Sequence, residues 1–188
     1  MGTAEKNTWT EPPASEFMVR GPNYLKQTGT NVVSLKQPSA EAPYACVGMN
    51  VFKSPVSTLH SAQKIQVSKQ FLDEQPGDED LDGLPSFLVI CWFFSNFFGT
   101  EHTIVQHIFR RTAKPRGEDP HLDAAVKRFM AADDHGKNEQ LKYMFKIVDG
   151  PSVLKTTVAT LGGERPVLIG RRLTTSYFRG RNYLEVGE

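Results

Sequence analysis

Two stretches of the chain carry the same arginine-led pattern, Arg20-Gly21-Pro22-Asn23-Tyr24-Leu25 near the start and Arg179-Gly180-Arg181-Asn182-Tyr183-Leu184 near the end, matching at five of six positions. A guanidinium is a planar donor fork that fits a carboxylate or a phosphate. Glycine admits unusual backbone dihedrals, asparagine hydrogen-bonds its own backbone in turns, and Tyr-Leu returns the chain to extended form. Two uses follow. Either the copies are look-alike structural turns whose arginines satisfy carbonyls or an acid, or Arg20, Asn23, Tyr24, Arg179, Asn182 and Tyr183 contact an anionic ligand. No copy lies between them, so the repeat is not a solenoid period.

The residues able to do covalent or metal chemistry are poorly arranged for it. His102 and His107 are five apart, which puts them on opposite faces of a strand or about 140° apart on a helix. His60, His121 and His135 fall near predicted element ends, where capping or exposure is the usual role. Cys46 and Cys91 lie in apolar runs without a basic sequence neighbour and read as small buried hydrophobes rather than nucleophiles. Asp78 to Gly83 matches the first half of a calcium loop, but the twelfth position is Val89 instead of a bidentate glutamate. Gly162-Gly163 reads as a hairpin turn, and no phosphate loop, Rossmann or nucleophile-elbow pattern is present. The expectation is a chain that is not an enzyme and uses no metal or cofactor; at least two histidines meeting an acid or cysteine in one cleft would reverse it.

Apolar residues offer more. Phe87 to Phe98 holds six aromatics in twelve residues. If one face of this run packs on a helix and the other borders a cavity, Phe87, Val89, Trp92 and Phe94 would line a site for an acyl chain, a sterol or a pigment. If both faces are covered, the run is ordinary core. Basic residues cluster twice, at Arg110, Arg111, Lys114 and Arg116 and at Arg165, Arg171, Arg172, Arg179 and Arg181. Each cluster suits a lipid headgroup, an acidic membrane or protein surface, or a solvated face.

These residues must be placed by a fold of ordinary composition. The chain has 188 residues, 39% of them apolar, and 22 basic against 21 acidic residues for a net charge of +1. One core is expected, and a global field for nucleic acid is not. Two cysteines predict no disulfide framework, hence an intracellular reducing compartment, cytoplasmic or peripheral to a membrane. The longest apolar stretch is too short to span a bilayer, and Met1 to Trp9 lacks the features of a secretory signal.

Residues 1–16 read as an extended arm, 17–188 as a single domain, and 71–83 as an acidic loop inside it. Strands are predicted at Tyr44 to Phe52, Phe87 to Ser95 and Thr103 to Arg111, the last two as a hairpin. Strand-like runs follow at Leu141 to Val148, Val153 to Ala159, Pro166 to Leu173 and Tyr183 to Val186. Helices are predicted at Val56 to Gln66 and at Pro120 to Ala132, where Leu122, Ala125, Val126, Phe129 and Met130 form one stripe. The sum is an α+β fold, a mostly antiparallel curved sheet of about six or seven strands wrapped on two or three helices.

Phe17 to Lys26 and Leu173 to Val186, together with Val47 to Ser54, Phe145 to Pro151 and Val167 to Leu173, resemble the C-terminal domain family of the plant Enhanced Disease Resistance 2 proteins, in order, over roughly residues 9 to 188. The resemblance implies a domain that in plants often follows a pleckstrin-homology and a lipid-transfer (START) domain, in proteins restraining defence and cell death at membranes; shorter relatives occur in algae and protists. Relatives usually continue past Leu184-Glu185-Val186 into a Gly- and Val-rich segment, so a groove it covers elsewhere is expected here to be open or filled by a partner. Taken together, the expected function is non-catalytic binding of a lipid or other hydrophobic ligand, with Arg171 among the contacts. The alternative is a scaffold subunit docking on a larger assembly through residues 1–16 and 71–83.

Overall fold

A computed structural model of the chain describes residues 13–21, 24, 35–55, 59–64, 84–96, 98–112, 120–144, 152, 156 and 166–187. In chain order the strands are β1 (Met18–Arg20), β2 (Lys36–Pro38), β3 (Tyr44–Ser54), β4 (Phe87–Ser95), β5 (His102–Arg111), β6 (Lys142–Tyr143), β7 (Val167–Leu168), β8 (Ser176–Arg179) and β9 (Tyr183–Gly187). The helices are α1 (Ser61–Lys64), α2 (Pro120–Ala131) and α3 (Asp134–Asn138). Five strands make the main sheet in the order β3-β5-β4-β9-β8, while β1-β2 and β6-β7 are separate two-stranded ladders. All pairings are antiparallel except β4 with β9.

The α+β class and the mostly antiparallel pairing hold, and the single curved sheet of six or seven strands does not: the described residues form nine strands in three sheets. Alternation along a sequence reports that a segment is extended, not which ladder it joins. The β4–β5 hairpin forms as expected. Its turn is held by Asn96, whose Oδ1 accepts from the Thr100 N–H at 2.9 Å, and Gly99 supplies the left-handed residue at φ 66°. Three other expectations are corrected. His135-Gly136-Lys137 does not merely end the long helix but lies in α3, because Asp133 Oδ1 accepts from Gly136 N–H at 2.7 Å and starts a new helix. Of Val153 to Ala159 only Thr156 is described, and it is helical, its hydroxyl bonded to the Ser152 carbonyl at 2.9 Å. Pro166 to Leu173 contains only the short β7 before turning into a 3₁₀ helix at Ile169–Arg171. Residues 14–16, within the expected arm, also form a 3₁₀ turn. Residues 1–12, the acidic loop 71–83 and Gly162-Gly163 lie outside the described residues.

Side chains alternate across a sheet, so the register assigns every residue to a face. Cys46, Phe109, Leu88 and Leu184 form one cross-strand row on the first face; Met49, His107, Ile90 and Val186 form the next; then come Val51, Val105 and Trp92, and finally Lys53, Thr103 and Phe94. On the second face the rows are Ala45, Arg110, Phe87 and Tyr183, then Gly48, Ile108, Val89 and Glu185, then Asn50, Gln106 and Cys91. Helix α2 lays Val126, Phe129 and Met130 over the first row of the first face, against Leu88, Phe109 and Leu184. The second face packs Phe87, Val89, Cys91, Ile108 and Tyr183 against Ala62 of α1. Full burial of side chains such as Phe87, Val89 and Ile108 stabilises the fold by about 1.5–3 kcal/mol each.

Candidate functional site

The second face carries an inlaid polar cluster. Glu185 is fully buried in the middle of β9, and its carboxylate accepts from the first backbone N–H groups of α1, Ser61 to Oε1 at 2.7 Å and Ala62 to Oε2 at 3.1 Å. It thereby satisfies two of the donors that a helix start leaves orphaned. The Ser61 hydroxyl donates to Oε1 at 3.0 Å and accepts from Gln106 Nε2 at 2.9 Å; Gln106 Oε1 in turn accepts from Asn50 Nδ2 at 2.9 Å. Cys91 Sγ reaches Glu185 Oε1 at 3.4 Å. At the rim, His60 Nε2 lies 2.6 Å from the Tyr183 hydroxyl and 4.0 Å from Glu185 Oε2. Its ring stacks on Phe178 at 4.7 Å and its backbone is left-handed, φ 55°.

A cysteine, a histidine, a serine and a glutamate thus meet in space, but their electrostatics do not make a nucleophile. Burial first, and then the Glu185 charge, push the Cys91 thiol up to about 12, far from the thiolate that attack requires. The Tyr183 phenol is likewise raised, by burial and by Glu185. Of the five histidines only His60 enters the cluster; His102 and His107 alternate along β5 and therefore belong to opposite faces. The cluster's evident work is to fix α1 on the sheet.

The first face is different. Beyond the row under α2 Val186 of β9 is still buried, but along β3, β4 and β5 the side chains emerge toward solvent: Ile90, Val105 and Trp92 are half-buried, whereas Phe94 is 57% and Val51 62% exposed. Met49 and Tyr143 are exposed as well. The Tyr143 ring meets Trp92 edge-on at 4.8 Å, so β6 borders this patch. By strand rise, Leu88 to Phe94 runs about 20 Å along the face.

The sequence matches the family model of protein ENHANCED DISEASE RESISTANCE 2, C-terminal, over residues 9–187. The chain belongs to that family. No solved structure matches it. Both arginine hexapeptides lie inside the ENHANCED DISEASE RESISTANCE 2 C-terminal match, and the structure separates them. The second is the β8–β9 turn, closed by the Gly180 N–H donating to the Tyr183 carbonyl at 2.9 Å. A Cβ at Gly180 would stand 2.0 Å from the Tyr183 ring, so glycine is needed for close approach and not for an unusual dihedral. In the first copy Arg20 ends β1 and its guanidinium sits over the Tyr24 ring at 4.7 Å, while the Gly21 carbonyl accepts from the Tyr24 N–H at 3.1 Å. Asn23 lies outside the described residues.

Within this family member, then, the residues singled out from sequence scatter over several environments. Phe87 and Val89 are sealed core of the second face, Trp92 and Phe94 belong to the emerging rows of the first, and Asn182 and Tyr183 are buried at the turn. Arg171 engages Glu139 through both arms of its fork, with Nε 2.8 Å from Oε1, which holds the Glu139 carboxyl below its usual range. Arg179 is exposed and lines a small cavity with Lys137. Sequence reasoning missed His60, Ser61 and Glu185. Glu185 between Leu184 and Val186, and Gln106 in line with Ile104 and Ile108, were polar residues at apolar-face positions, and that mismatch was the available signal.

Proposed function

We propose that this domain binds an apolar ligand, such as a lipid acyl chain, along the uncovered rows of the first sheet face, without catalysing a reaction on it. The observation that carries the reading is the contrast within β4, where Phe87, Val89 and Cys91 are sealed while Trp92 and Phe94 on the opposite face emerge beside Val51, Val105 and Tyr143. Large contiguous apolar exposure of this kind marks an interaction surface, and each ligand methylene buried there contributes about 0.8 kcal/mol. Non-catalysis is supported by a thiol pushed up to about 12 and a carboxylate whose two oxygens serve α1. No helix among the described residues is long and apolar enough to cross a membrane.

Trp92 reports on its own site. The sequence has two tryptophans, so Trp9→Phe leaves Trp92 as the single tryptophan, excited selectively at the red edge of the absorption band. Phosphatidylcholine vesicles carrying brominated acyl chains should quench it, and Val51→Asp with Phe94→Asp should abolish the quenching. Unchanged Trp92 emission at saturating lipid overturns the reading. A second reading, a protein-docking module, draws on β3 being an outer strand of the main sheet with Val47, Met49 and Val51 exposed. It predicts association that Val51→Asp removes while brominated lipid leaves Trp92 untouched. The arms first expected to dock, 1–16 and 71–83, lie almost wholly outside the described residues.

A further inference from the structure

A cavity of about 90 Å³ lies where α2 and α3 meet the β8–β9 hairpin, lined by Pro85, Met130, Asp134, Lys137, Tyr177 and Leu184 together with Arg179. Lys137 is the unusual member. It is only 8% exposed, and lysine is almost never so buried unless its charge is paired. Its ammonium donates to the Ala132 carbonyl at the end of α2 and lies 5.5 Å over the Tyr177 ring. Among the described residues it makes no ion pair. One of its three protons is spent on that carbonyl, which leaves a largely desolvated cation beside a space large enough for a few waters. A buried charge of that kind is costly until an opposite charge joins it.

We propose that this cavity is an oxyanion site, taking a phosphate group on Lys137 and Arg179. Lys137 supplies a compact charge from the inner wall and Arg179 a planar fork from the exposed one, a pairing that suits tetrahedral oxygens. The volume admits a phosphate and excludes an acyl chain, so this site is distinct from the apolar rows and goes beyond them. Asp134, exposed at the cavity wall, opposes a bare anion. It therefore sets selectivity, disfavouring groups with no donor of their own.

Calorimetric titration of the full chain with inorganic phosphate tests the site. Saturable binding is expected, weakened at least about tenfold by Arg179→Gln and by Lys137→Met, as losing a charged hydrogen bond implies, and tightened by Asp134→Asn. Absence of saturable binding to the wild type, or variants R179Q and K137M that bind as it does, overturns the proposal. If Lys137→Met does not fold, Arg179→Gln decides alone, because Arg179 is exposed. Phosphatidylcholine vesicles with and without phosphatidic acid identify the source. Binding that requires phosphatidic acid and Arg179 assigns a lipid headgroup; phosphate binding without vesicle binding assigns a soluble phosphate ester. Quenching of Trp92 by brominated chains is read separately, so failure at one site leaves the other standing.

Discussion

Cys91 and Trp92 are neighbours in sequence and live in opposite conditions. Cys91 faces α1 within a cluster where each described polar side chain hands its hydrogen bond to the next, while Trp92 stands half-buried on the opposite face, where the Tyr143 ring meets it edge-on. The strand is equally apolar in both directions, so the difference is imposed from outside it. A four-residue helix clamped by one carboxylate packs on one side; among the described residues, the core contacts of a twelve-residue helix on the other fall on its first row. Sealing depends here on where a helix is anchored and not on its length.

The sharpest way to break this contrast is Glu185→Ala. It removes the acceptor for two backbone N–H groups and a hydroxyl in a dry site, and should lower stability by about 3–5 kcal/mol, seen as a fall in the urea midpoint. Glu185→Gln should lose less. A loss below about 1 kcal/mol would mean that α1 is held by Ala62 packing alone. Next comes Gly180→Ala, whose new methyl meets the Tyr183 ring, with an expected cost of about 1–3 kcal/mol.

The thiol gives a pH test. The folded state holds Cys91 protonated up to about 12 while the unfolded chain releases that proton near its ordinary 9.0. Its stabilisation is therefore complete below about pH 9 and lost as pH climbs toward about 12, at roughly 1.4 kcal/mol per pH unit. Tyr183, also raised, adds the same sign above its ordinary 10.0. A urea midpoint series in alkaline buffer should slope downward, and Cys91→Ala should remove the cysteine's share. The smallest effect belongs to the open rows. Val51→Asp and Phe94→Asp should each shift stability by no more than about 0.5 kcal/mol, even as they abolish quenching by lipid; a large loss would show that the rows are core after all.

How much of this was legible follows the same division. The β4–β5 hairpin and α2 could be read because their patterns are local: a period of two broken by a turn, and a stripe opened by Pro120. The family could be read from ordered motifs along the chain. The site could not. Glu185 meets Ser61 across 124 residues, and nothing in the period of either segment announces the partner. The arginine hexapeptides show the opposite failure. Equal sequence suggested equal use, yet Gly180 is required by the Tyr183 ring and Gly21 by the Leu35 carbonyl, 2.8 Å from where its Cβ would stand. The strand Ser176–Arg179 escaped notice because it is four residues long and, among the described residues, pairs with its hairpin neighbour alone.

The parallel pairing of Phe87–Ser95 with Tyr183–Gly187 has a consequence for biogenesis. Leu88 aligns with Leu184, and the hairpin that brings Leu184 follows the other three strands of the main sheet in chain order. During translation the three earlier strands of the main sheet therefore wait with one greasy margin unpaired, and closing a loop of that length is slow. A nascent chain stalled before residue 183 should be a substrate for chaperones, and emergence of Tyr183–Gly187 should be the event that frees it.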